Sequence, residues 1–169
     1  MSRLIVLFTL AVSFAAAQNP LSDDLRFAWS GVKDYIVRAA EKMPAGKYSF
    51  QPADSVMTFA QLVGHIADSN YYFCATAMGE KPPASNVRND MRAKEEIVPA
   101  LKDSVAYCDK AYTALTDASA VGKLKFFGGE HTRAAVLMVH YGHAYEHYGN
   151  LVTYMRMNNL VPPSSEPRK

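Results

Sequence analysis

Four of the chain's five histidines, His65, His140, His143 and His147, fall in stretches whose apolar residues recur at helical spacing. At ~100° per residue, His143 and His147 sit about 40° apart on one face, a single turn and ~6 Å along the axis. Two neutral imidazoles so placed can converge on one divalent ion. His65 lies one turn after Leu62 on another helical stretch, so it can face the same interior. Three imidazoles and one exchangeable position make a reactive centre rather than a purely structural one. The spacing leaves alternatives open. His140 shares the stripe and can pair with His143 at i, i+3, and an HxxxH on a helix is often plain core. Yet each buried imidazole needs hydrogen-bond partners, which a shared ion would supply to several at once.

The elements that must carry these side chains read as four helices. The first starts after Ser22, an N-cap candidate followed by the acidic pair Asp23 and Asp24. It carries Leu25, Ala28, Trp29, Val32, Ile36, Ala39 and Met43 to a stop at Pro44. Residues 45–57 hold Gly46, Pro52 and Asp54 and read as a loop. The second helix opens on Thr58-Phe59-Ala60-Gln61, a capping-box signature, and ends at Gly79 ahead of Pro82-Pro83. A polar crossover leads to a third, with the stripe Ile97, Leu101, Val105, Cys108, Tyr112 and Leu115. Pro99 requires that this helix either start near Glu96 or bend. The fourth runs from about Thr132 to Asn158, with Val136, His140, His143, His147, Leu151 and Tyr154 along one side. Pro162 to Lys169 reads as a turn and a frayed end. No stretch alternates with period two for long enough to predict a sheet. The expected fold is all-α, a four-helix bundle with crossover connections.

The totals agree with one folded domain. The chain has 169 residues, 49% of them hydrophobic, with a formal net charge of +2. That balance gives no electrostatic case for nucleic acid. Residues 1–17 stand apart: a positive start at Arg3, an uncharged run from Leu4 to Ala16, and the small residues Ala15 and Ala17 before Gln18. This is the layout of a cleaved secretory leader, and the run is short of the ~20 apolar residues that a membrane span needs. The expected mature domain is 18–169, periplasmic or secreted, with no stable membrane insertion. In an oxidising compartment, Cys74 and Cys108 can form a disulfide; the alternative is two buried thiols.

The segments Thr58-Phe59-Ala60-Gln61-Leu62-Val63-Gly64-His65-Ile66-Ala67-Asp68 and His143-Ala144-Tyr145-Glu146-His147-Tyr148-Gly149-Asn150, continuing to Tyr154-Met155-Arg156, resemble the DinB-like family. The resemblance implies a bundle holding a metal with one histidine from the second helix and an HxxxH from the fourth. Carried over position by position, it selects His65, His143 and His147 and leaves His140 outside the ligand set. Glu146 and Asn150 depart from the family's frequent His and Gln, neither at a ligand position. One divalent transition metal is implied, Zn, Ni, Fe, Mn or Cu, with Zn or Ni favoured. Family activities imply a metal-dependent hydrolase or a thiol S-transferase acting on a small molecule, and export counts against the second. A non-catalytic metal-binding or stress-associated bundle is the other class. Asp68 and Glu146 would handle protons or orient ligands, and Ser69 would contact substrate. A homodimer is allowed.

Overall fold

The structure is a computed structural model that describes residues 18–167. The leader read at residues 1–17 lies outside the described residues. Four long helices, α1 (Pro20–Lys42), α2 (Phe59–Met78), α4 (Lys94–Ala114) and α6 (Arg133–Met157), form the bundle. Two one-turn helices, α3 (Val87–Asp90) and α5 (Asp117–Ala120), and a hairpin of β1 (Lys123–Phe126) and β2 (Gly129–Thr132) occupy the connections. Helix α2 packs on α4 and α6, and α1 packs on the same two. The core between them includes Trp29, Ile36, Phe59, Leu62, Ile66, Leu101, Tyr112, Leu137 and Leu151.

The helix ends show where local chemistry decides and where it yields. Thr58 Oγ1 accepts the Gln61 N–H and Gln61 Oε1 accepts the Thr58 N–H, so the expected capping box starts α2. Gly79, at φ 76°, closes it. Thr132 caps α6 through the Ala135 N–H. Helix α1, in contrast, starts at Pro20 with Asn19 as its cap, not after Ser22. Proline lacks the N–H that a first turn would leave unpaired, and its φ is already helical. Ser22 is buried instead, and its N–H and hydroxyl both donate to Asp117 Oδ1, at 2.8 and 2.7 Å. Asp117 in turn donates its N–H to Asn19 Oδ1, which ties α5 to the start of α1.

Helix α4 begins at Lys94, two residues ahead of the expected start, and carries Pro99 inside it. The one carbonyl that Pro99 leaves without a helical donor belongs to Glu95, an exposed residue of the first turn, where water can serve it. The hairpin corrects the expectation of no sheet: β1 and β2 pair antiparallel from Lys123↔Thr132 to Phe126↔Gly129. The last described turn is tied down, because Glu166 bonds Arg38 and Lys42 and the Ser164 N–H donates to Tyr148 Oη at 2.9 Å.

Candidate metal centre

Helices α2 and α6 run antiparallel: Tyr154, near the end of α6, donates to the Met57 carbonyl just before α2, while Phe73, late in α2, packs on His140 and His143. That arrangement places His65 opposite the α6 pair. His65 Nε2 lies 3.2 Å from His143 Nε2, and His147 Nε2 lies 3.0 Å from it. The three rings stand at steep angles to one another, 61°, 86° and 83°. Nitrogens bound at ~2.1 Å to a common ion would lie roughly 3.0–3.4 Å apart, so the donor set fits a first-row divalent metal. His147 is 8% exposed, and His65 and His143 are half-buried. The cluster therefore closes into the bundle on one side and opens on the other.

Burial, ahead of neighbouring charges, favours the neutral form of all three imidazoles. Burial lowers the His65 pKa first and the nearby Arg88 guanidinium lowers it further, with Asp68 and Glu146 opposing. Burial takes His143 down to about 4, helped by the two flanking histidines. Burial and His65 lower His147, against Glu146. Neutral lone pairs converging on one point suit a cation and repel a proton. The Asn150 amide lies 3.4 Å from His147 Nδ1. When Nε2 ligates a metal, Nδ1 carries the proton, and Asn150 can turn its carbonyl oxygen to accept it.

His140 belongs to a different arrangement. It is fully buried beside Trp29, Phe73 and Tyr112, from α1, α2 and α4. Its Nε2 meets Asn70 Oδ1 at 2.9 Å and its Nδ1 meets Tyr112 Oη at 3.0 Å. Both ring nitrogens thus find protein partners without an ion. Cys74 and Cys108 are joined in a disulfide next to this ring, with Cα atoms 5.2 Å apart, so their sulfurs are not free to ligate.

The remaining sequence candidates separate. Asp68 accepts hydrogen bonds from Ser85 Oγ, the Val87 N–H at 2.9 Å and the Arg88 N–H at 3.0 Å, so its carboxylate caps α3 and does not face the imidazoles as a ligand. Glu146 is exposed on α6, one residue before His147, and Ser69 is buried one turn after His65. Sequence reasoning did not single out Arg88, Asn70 or Asn150 as partners of the histidines. Asn150 carried a signal, standing three residues after His147; Arg88 and Asn70 reach their histidines only through the fold.

A family profile for the DinB superfamily matches residues 28–151. No curated protein matches the chain. Among solved structures, a DinB-like protein from Bacillus cereus superposes with a TM-score of 0.74 at 15% identity, over 83% of this chain and 95% of that one. A DinB-like protein from Bacillus subtilis gives 0.68 at 20% identity, over 86% and 99%. A mycothiol-dependent maleylpyruvate isomerase gives 0.63 at 14%, over 77% of this chain and 60% of that one. At these identities the likeness establishes the fold.

Proposed function

The chain belongs to the DinB superfamily, and from that premise we propose that His65, His143 and His147 hold one divalent transition metal, Zn or Ni, in an exported metal-dependent hydrolase of a small molecule. The observation that carries this reading is the meeting of three neutral imidazole nitrogens, 3.0 and 3.2 Å apart, at the half-open seam of α2 and α6. An ion held by these three residues would supply Lewis acidity there. The chain's own residues supply the rest. Asn150 orients the His147 ring. The exposed Glu146, whose charge acts on His65 and His147, would take a proton in the reaction. Arg88, which acts on His65 from α3, offers a cation to an anionic substrate or to developing negative charge.

Metal analysis of untagged protein, followed by a hydrolase and transferase substrate screen, tests the proposal. About one equivalent of metal is expected, with turnover that disappears on chelation and returns with metal. A second reading has its own support, because the same three imidazoles tie α2 to α6 and a bound ion would brace the bundle. Under that reading, chelation lowers the melting temperature and no screened substrate turns over. A thiol S-transferase would turn over only with a small thiol as co-substrate, and export argues against one.

A further inference from the structure

The β1–β2 turn carries a residue that its backbone does not favour. Phe126 pairs with Gly129, so Phe127-Gly128 is a two-residue loop, and both residues have positive φ, 45° and 80°. Such a loop is best built from Asn-Gly or Gly-Gly, because an L side chain larger than Asn crowds the left-handed region. Burial does not account for phenylalanine there either, since Phe127 is 70% exposed. Its ring lies nearly parallel to that of Tyr72, 26° and 6.3 Å between centroids, and Tyr72 is itself 41% exposed. Phe126 supports Phe127 from beneath at 4.0 Å. Phe73 joins this aromatic surface to the histidines, with its ring 6.3 Å from Phe127 and 5.3 Å from His143.

We propose that Tyr72 and Phe127 form a subsite for a planar aromatic group, carried by a ligand whose donor atom sits at the three-histidine centre. The inference rests on the metal reading above and narrows its substrate class to arene-bearing molecules. Two exposed, near-parallel rings continuous with the imidazoles offer stacking faces to an arene and little to an aliphatic chain of the same polarity. The hairpin then serves to hold one of those faces beside Tyr72 and against Phe73, the ring that touches His143.

Cobalt(II)-loaded full-length mature chain makes the test independent of turnover. Benzohydroxamate and acetohydroxamate present the same chelating oxygens with and without a ring, and the visible cobalt spectrum reports the binding of each. The ratio of the two affinities should fall by about tenfold in Phe127→Asn and in Tyr72→Ala relative to the unsubstituted chain, with acetohydroxamate affinity unchanged. Asparagine suits the turn, so Phe127→Asn should melt at or above the original temperature. Cobalt uptake with an unchanged ratio in both variants overturns the subsite and leaves the metal reading standing. The same holds if Phe127→Asn changes the sedimentation coefficient without changing the ratio, which would mark a protein contact. No cobalt uptake overturns both, whereas uptake without a hydroxamate response overturns the subsite alone.

Discussion

His140 and His143 stand three residues apart on one helix, and their neighbours assign them opposite work. Ser104 donates to the Leu101 carbonyl and accepts from the Asn70 amide, which turns Asn70 Oδ1 toward His140 Nε2. That places the proton on Nε2, while Tyr112 Oη lies 3.0 Å from both His140 Nδ1 and the Leu137 carbonyl oxygen and has one proton to give between them. Burial, with His143 beside it, holds the His140 pKa down to about 3. The consequence for stability has a definite sign. Between the ordinary value near 6.5 and about 3, the unfolded chain binds a proton that folded His140 refuses, so stability is complete above the upper value and lost as pH falls. Metal-free protein should therefore lose up to ~1.4 kcal/mol per pH unit on this account. Urea midpoints at pH 7, 6 and 5 should show a shallower decline in His140→Gln than in the original chain; parallel declines would refute the assignment. His143, with its nitrogen aimed at two other imidazoles, answers to metal instead. Alanine at His65, His143 or His147 should abolish stoichiometric metal, whereas alanine at His140 should retain it and destabilise by ~2–4 kcal/mol through stranded Asn70 and Tyr112 groups. Asn150→Leu should weaken metal binding roughly 10–100-fold, with the melting temperature of the metal-free form unchanged. The HxxxH spacing made His143 and His147 visible in the sequence. The family resemblance left His140 outside the ligand set, but the partners that hold it, Asn70 from α2 and Tyr112 from α4, could not be read from the sequence.

Among the elements, the seam between α2 and α3 shows how a connection can hold a site together. A Cβ on Gly64 would lie 2.7 Å from the Arg88 Cα and 2.8 Å from its nitrogen, contacts that backbone cannot relieve by a rotamer change. Glycine there lets α3 rest directly on α2, where Asp68 receives its first N–H groups and Arg88 comes beside His65. Gly64→Ala should push α3 off, costing about 1–3 kcal/mol. Gly31→Ala, on α1 with nothing within 4 Å of the new methyl, should stabilise by about 0.5–1 kcal/mol. Thermal melts of the two variants decide the point, and equal shifts would mean that the seam is looser than described. The four long helices were legible in the sequence because each carries an apolar stripe long enough to establish its period, and Thr58, Gly79 and Thr132 mark ends by local chemistry alone. The connections were not. Helices α3 and α5 last four residues each, too few for a period. The strands Lys123–Phe126 and Gly129–Thr132 hide one buried side chain between them, Phe126, so no alternation announces them. Ser22 looked like a cap because its real partner, Asp117, lies 95 residues away.

At the scale of the molecule, the disulfide links the fold to the compartment in which it forms. Cys74 on α2 and Cys108 on α4 are both 0% exposed, and the bridge closes a span of 34 residues. Closing such a loop restricts the unfolded chain and is worth ~3–4 kcal/mol in the chain-entropy picture. A bond so deeply placed gives a reductant no approach while the bundle is folded. Native protein should consequently show no reactive thiol with reductant alone and two once denaturant is added. The reduced chain should then unfold at lower urea, by an amount matching that estimate. Two free thiols in unreduced, denatured protein would remove the bridge from the account. Such a bond forms in an oxidising space and is rare where thiols are kept reduced. We propose that the charged start, apolar run and small-residue cut of residues 1–17 serve to reach that space. The two features are independent, one read from the first residues and the other from the packing of α2 on α4, and they call for the same compartment. In its native host the protein should be recovered outside the cytoplasm with Gln18 as its first residue and its cysteines oxidised. N-terminal sequencing that returns Ser2 from a cytoplasmic fraction would overturn the export reading. It would also return the chain to a compartment rich in small thiols, where the S-transferase chemistry set aside above regains its substrate.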